Sequence, residues 1–237
     1  WLLTLIYLLF VVNSCSTERN KIEKIESVIL ITIDTLRADH LSSHGYPFST
    51  SPKLDSFFKR GVHFQSALST SSLTMPAHAS IMVGLYPSFH SVDIYNGERK
   101  LAESEKTLAE IFLERGMKTA AIVSNPALTT AFGFNQGFEV FDDELPQQEL
   151  NRRSPEKRGD VAIDRAIRIL DGLQQQSYFF WLHLQDPHGP YTPPELESKR
   201  FLENSAYNPR LEKHLPFSDN NLGFGSIPKY QAFKKDT

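Results

Sequence analysis

Three short stretches of this chain carry side chains that could work together on an anionic ester. The first is Ser72 to Pro87, S-L-T-M-P-A-H-A-S-I-M-V-G-L-Y-P, in which Thr74 stands just before Pro76. Pro is tolerated in the first turn of a helix, and Gly just past its end is a common stop, so Pro76 to Gly84 reads as a short helix with Thr74 at its N-terminus. Free backbone N–H groups and the positive end of the helix dipole make that place suitable for a tetrahedral anion. A hydroxyl there is a nucleophile if a metal ion lowers its pKa; otherwise Thr74 only caps the helix. The second stretch is V-I-L-I-T-I (28–33), which ends at Asp34. The third is Q-D-P-H-G-P-Y (185–191), which supplies Asp186 and His188. A carboxylate, a hydroxyl at a helix N-terminus and a histidine on one rim would form a hard-cation site for an anionic ester. Taken singly, Asp34 could be a turn residue and His188 a surface-loop histidine.

The elements around these residues read as alternating strands and helices. Residues 28–33 are a continuous β-branched run, read as a strand buried on both faces. A helix is expected over 52–60, and a strand over V-H-F-Q-S-A-L (62–68) leading to Thr74. Thr107 to Glu110 is a capping box heading a helix to Arg115, stopped by Gly116. Residues 118–124 and 178–184 are further buried strands, and 161–173 is a helix with one apolar face. The Phe- and Gly-rich stretch 131–143 reads as an ordered loop. Residues 144–158 read as a polar, mobile segment whose Arg152, Arg153, Lys157 and Arg158 form a solvated basic cluster, and 203–237 as variable loop. The order β-α-β-α-β-α-β indicates an α/β fold with a largely parallel sheet flanked by helices. Asp34, Thr74 and Asp186 with His188 would then follow three strands at the carboxyl edge, where such sheets place ligand groups.

Composition narrows the function classes. The chain has 237 residues, 40% hydrophobic and 11% aromatic, enough for a real core. A net charge of −3 gives no basic footprint, so nucleic acid is not an expected partner. The single cysteine, Cys15, excludes an intrachain disulfide and a Cys-rich zinc site. Residues 1–14 are almost wholly apolar but too few to span a bilayer. They resemble the apolar part of a secretory signal, and Asn13-Ser14-Cys15 resembles a lipobox. The expected organisation is a signal or lipoprotein-type segment over 1–15, a polar linker over 16–26 and a catalytic domain from 27 to 237. That places the domain outside the cytoplasm, in a bacterial periplasm or at the cell surface. An anchor lipidated at Cys15, a cleaved signal and a truncated membrane anchor are the three forms considered.

The motifs I-T-I-D-T-L-R-A-D-H-L, T-S-P-K-L-D, G-V-H-F-Q-S-A, T-M-P-A-H-A-S-I-M-V-G-L-Y-P and L-H-L-Q-D-P-H-G-P-Y-T-P-P together resemble the sulfatase family of the alkaline phosphatase superfamily. The resemblance runs from about Ser27 to about Pro194 and keeps the family's motif order. It implies a hydrolase of sulfuric or phosphoric esters with a divalent cation, Ca2+ if sulfatase-like, Zn2+ or Mn2+ if phosphotransfer-like. Asp34 matches the first metal-ligand aspartate, and Thr35 stands where the family often has a second. Thr74, matching the nucleophile position of the C/S-x-P-x-R signature, would also bind the metal. His78 replaces the signature's arginine and could hydrogen-bond the anion. His188 matches a histidine that contacts the ester or its leaving group. Asn96 either helps bind the anion or is a turn residue before Gly97.

Typical members convert Cys or Ser at the Thr74 position to formylglycine, a route closed to threonine. Superfamily relatives that cleave or transfer phosphoryl groups use a Thr or Ser directly. The S-D-H-G-like segment completing the family's metal site is not within the 237 residues. The chain is therefore expected to be the N-terminal part of the domain, incomplete at its C-terminus and inactive alone. The expected substrate is a sulfated or phosphorylated glycan, lipid or small molecule. A phosphodiesterase, phosphonate hydrolase or phosphotransferase is the alternative reaction class. A non-catalytic surface lipoprotein binding an anionic glycan or lipid is the alternative without chemistry.

Overall fold

A computed structural model describes residues 26–93, 100–148, 155–189 and 193–202, together with 217–218 and 227–228. The signal-like segment, Cys15, Asn96, Arg152 and Arg153 lie outside the described residues, as does nearly all of 203–237.

The framework is a four-stranded parallel sheet. Its strands are β1 (Ser27–Ile33), β2 (Lys118–Ile122), β3 (Val140–Asp142) and β6 (Tyr178–Leu184), in the spatial order β1-β6-β2-β3. Two-residue strands β4 (Gln147–Gln148) and β5 (Pro155–Glu156) pair antiparallel beside it. The helices are α1 (Pro52–Phe58), α2 (Thr74–Val83), α3 (Pro87–His90), α4 (Leu108–Glu114), α5 (Gly159–Leu173) and α6 (Glu195–Leu202).

Alternation along β6 builds two cores. Phe180 and Leu182 face α5 and meet Ala162 and Ala166. Phe179 and Trp181 face the other way and pack with Met75, Ala79 and Ala109 from α2 and α4. Successive side chains of a strand point to opposite faces, so His183 shares the α2 side with Trp181. α5 covers β2 and β6, and β1 and β3 are the edge strands among the described residues.

Three expectations are corrected here. β1 is not buried on both faces: Val28 and Leu30 pack on the core, whereas Ile29 and Ile31 are exposed. An unbroken apolar run permits two-sided burial, but its neighbours decide it. Residues 62–68 form no strand, and Val62, Phe64 and Leu68 are exposed. Thr74 is therefore delivered by an extended segment with serine turns, in which Ser71 Oγ accepts from Leu73 N–H. The third correction concerns 131–158. Residues 140–142 form β3, and Lys157 is not solvated: its side chain is fully buried and its ammonium lies 2.7 Å from Asp142.

The local start and stop signals act as read. Thr107 Oγ1 accepts from Glu110 N–H, and the Glu110 carboxylate accepts from Thr107 N–H. Gly84 ends α2 with φ +70°, a conformation glycine adopts without a Cβ penalty.

Candidate active site

Thr74 is the first residue of α2, and Leu73 occupies the capping position with no side-chain bond. The Thr74 hydroxyl does not close its own helix. It donates to Asp34 Oδ2 at 3.0 Å, forty residues away in sequence. Asp34 is buried and continues the β1 ladder, its N–H bonded to Leu184 O. Thr35 follows with φ +53°, a left-handed conformation that is unusual for a β-branched residue. Such strain is typical of places where a neighbouring side chain must be held in one direction.

A second donor reaches the same carboxylate oxygen. Asn125, just past β2, gives one amide hydrogen to Asp34 Oδ2 at 3.0 Å and the other to Gln185 Oε1 at 2.7 Å. Its own Oδ1 accepts from Ala127 N–H, which fixes the amide so that the NH2 group faces Asp34. Asp34, Thr74, Asn125 and Gln185 thus form one connected cluster at the carboxyl ends of β1, β2 and β6, roofed by the first turn of α2.

Beneath it lie two imidazoles. The ring of His78 is buried, and its Nδ1–H donates to the Thr74 carbonyl at 2.7 Å. His183 Nε2 lies 3.9 Å from Asp34 Oδ2, and the two rings meet edge to face with centroids 4.7 Å apart. Neither Nε2 completes a hydrogen bond with the described residues. Burial lowers the pKa of His78, against the opposing pull of the Thr74 carbonyl and Asp34. Burial, reinforced by neighbouring His78, lowers that of His183 much further, with a contact to Gln185 opposing. Both rings are accordingly neutral at pH 7.

The expected site residues therefore separate. Asp34 and Thr74 come together as read. His78 is near them, but its ring is turned into the core. Nδ1 is committed to the Thr74 carbonyl and Nε2 is closed to solvent, so this ring offers no hydrogen bond to an anion at the rim. Asp186 is engaged elsewhere: its carboxylate accepts from Gly159 N–H and closes the start of α5. His188 is half-buried in the turn after β6, where its N–H bonds Gln185 O and its Nδ1–H donates to Gly189 O at 2.8 Å. Sequence reasoning passed over Asn125, Gln185 and His183. Asn125 stood in an Asn-Pro pair that reads as a turn, and the other two lay inside the last motif without a role.

Asp34 and Thr74 offer oxygen donors, the chemistry hard divalent cations prefer. Among the described residues no three His, Cys, Asp or Glu side chains converge as a metal site, so this pair fits one side of such a site rather than a complete one.

A parallel α/β sheet with a carboxylate–hydroxyl pair at its carboxyl edge, under a helix N-terminus, defines the class of protein. The sulfatase family model matches residues 26–223, and the chain belongs to that family. An ulvan-active sulfatase of Formosa agariphila is 28% identical over 116 residues, covering 47% of this chain and 22% of that protein. Two solved structures share the fold. A phosphonate monoester hydrolase of Agrobacterium radiobacter superposes with a TM-score of 0.58 at 21% identity, covering 74% of this chain and 44% of its own. A protein in complex with its substrate D-glucosamine-2-N,6-O-disulfate gives 0.62 at 19% identity, covering 76% and 38%. The alkaline phosphatase/sulfatase-like fold is thereby confirmed, and the matched part of this chain spans less than half of each of these proteins.

Proposed function

We propose that the protein to which this chain belongs hydrolyses an anionic ester, of sulfuric or phosphoric type, with Thr74 as nucleophile. The observation that carries this reading is the 3.0 Å hydrogen bond from Thr74 Oγ1 to Asp34 Oδ2 at the first turn of a ten-residue helix. Asp34 and Thr74 would hold a divalent cation, which supplies charge that lowers the hydroxyl pKa and offsets the charge of the ester. Asp34 Oδ2, which accepts the Thr74 hydroxyl at 3.0 Å, would take its proton. Thr74 Oγ1 then bonds to sulfur or phosphorus as the ester's alcohol leaves, and water releases the resulting Thr74 ester. His188, whose Nδ1–H donates to Gly189 O at 2.8 Å in the turn after β6, would contact the ester or its leaving group.

The direct use of a threonine hydroxyl favours a second reading, cleavage of phosphodiesters or phosphonate monoesters, over the formylglycine route. A sulfated sugar is the substrate class of the first reading, supported by the similarity to an ulvan-active sulfatase and to a structure holding D-glucosamine-2-N,6-O-disulfate. The apolar run before Cys15 supports an extracytoplasmic location and an N-terminal membrane anchor for either. The test is to assay the full-length protein on paired aryl sulfate, phosphodiester and phosphonate monoester substrates, with and without chelator. Thr74→Ala is expected to reduce kcat by roughly 10³-fold or more, the scale seen when a nucleophile is removed. Chelation is expected to abolish turnover. Full activity in Thr74→Ala would remove Thr74 as nucleophile.

A further inference from the structure

The two buried imidazoles lie directly under the Asp34–Thr74 pair, and the reaction outlined above uses neither. Their proton positions follow from the partners of their other nitrogens. The Trp181 indole N–H can only donate, and it gives its hydrogen to Thr32 Oγ1 at 3.1 Å. Thr32 Oγ1 lies 2.9 Å from His183 Nδ1. Two arrangements satisfy that contact. Either Thr32 donates to a bare Nδ1, which puts the ring proton on Nε2, or Nδ1–H donates to Thr32 and leaves Nε2 bare. The second would aim a nitrogen lone pair at the Asp34 carboxylate, 3.9 Å away, inside the core. The first aims an N–H dipole at it. In a buried, weakly screened setting the electrostatic difference between the two decides the tautomer. His78 has the opposite tautomer, because the Thr74 carbonyl can only accept from its Nδ1–H.

We infer that His183, as the Nε2–H tautomer that the Thr32 contact permits and the Asp34 carboxylate favours, is a positioning residue that orients the Asp34 carboxylate for its cation. The inference rests on the assignment of Asp34 as a cation ligand. At 3.9 Å the contact is outside hydrogen-bond length, so His183 acts through its N–H dipole on the charge and direction of the carboxylate. Carboxylates that hold metals are characteristically oriented by such outer partners, and loss of one costs about 10- to 100-fold in metal affinity. The same pair of rings ties two chain segments together. His78 is bonded to the first turn of α2, and His183 lies against the ends of β1 and β6, so Thr74 and Asp34 are referred to one buried support.

The test uses the full-length protein, labelled with 15N at histidine, and reads the His183 ring nitrogens by NMR at neutral pH. Protonated Nε2 and bare Nδ1 are expected. Calorimetric titration with Ca2+ and with Mn2+ supplies the second arm. His183→Leu is expected to bind about 10- to 100-fold more weakly. His183→Gln keeps an amide N–H near the Nε2 position and is expected to stay close to the parent. A role in packing alone would not separate the two variants. A protonated Nδ1 in the parent, or equal affinities for Leu and Gln, overturns the inference. Asp34→Asn is the control for the underlying assignment. If it binds the cation as the parent does, the metal reading falls and His183 orients no ligand. The NMR arm gives its answer even if a His183 variant fails to fold.

Discussion

Thr74 and Asp34 meet through one hydrogen bond, and the side chains bonded to the same carboxylate set its geometry. Asn125 is the most exacting of them. Its single amide reads three partners, accepting from Ala127 N–H while donating to Asp34 and Gln185. Truncation takes one donor each from the Asp34 carboxylate, which keeps the Thr74 hydroxyl, and from Gln185 Oε1, and it removes the acceptor of Ala127 N–H; a buried group that loses its hydrogen bond costs about 1–3 kcal/mol. Asn125→Ala is therefore expected to lower the unfolding free energy in urea by about 2–4 kcal/mol, the lower end applying if water enters. A loss under 0.5 kcal/mol would show that the cluster is not closed as described. Thr74→Ser, which keeps the hydroxyl and drops only a methyl group, is expected to retain far more activity than Thr74→Ala.

At the scale of elements, the site depends on β6. This strand is hydrogen-bonded on both sides, presents Phe180 and Leu182 to α5, and turns Phe179, Trp181 and His183 towards α2. Its end supplies Gln185 and the turn that carries His188. Phe180 is essentially fully buried, so Phe180→Ala opens a cavity between the sheet and α5 at an expected cost of about 3–5 kcal/mol. Thermal unfolding of the full-length protein checks this, and a marginal shift would mean that α5 packs more loosely than its Ala162 and Ala166 contacts indicate. α5 is also tied to the site edge from its own start. Gly159 N–H donates to Asp186, and a Cβ on Gly159 would come within 2.6 Å of that carboxylate.

Among the described residues, Asp142 at the end of β3 is an electrostatic centre outside the site. It receives the buried Lys157 ammonium at 2.7 Å and the Arg165 guanidinium at 3.0 Å, while Arg165 also pairs with Glu144. Burial by itself would raise the Asp142 carboxyl. Lys157 and then Arg165 outweigh it, and the folded pKa lies below the ordinary 3.8. A carboxyl lowered on folding contributes stability that is complete above its unfolded pKa and lost as pH falls through the folded one. Acid unfolding monitored by circular dichroism should thus show a loss of stability from about pH 4 downwards. Asp142→Asn should flatten that limb. It should also lower stability at pH 7 by about 3–5 kcal/mol, because Lys157 would stay buried without its carboxylate. An unchanged acid limb in Asp142→Asn would assign the loss to other carboxyls.

The sequence by itself determined what depends on local chemistry. The Thr107–Glu110 capping box, the Gly84 stop and the apolar strands read at 118–124 and 178–184 are properties of neighbouring residues; the first strand is found two residues shorter, as Lys118–Ile122, and the others as read. Asp34 at the end of a strand and Thr74 at the start of a helix were legible for the same reason. Only the tertiary structure decided which elements lie side by side. It put β1 at an edge and not in the middle, left 62–68 without a strand partner, and buried Lys157 against Asp142. It also turned His78 inwards onto His183 and brought Asn125 onto Asp34 across ninety-one positions of chain. Burial, pairing and hydrogen-bond completion between distant residues depend on what covers each face, and no local pattern records that.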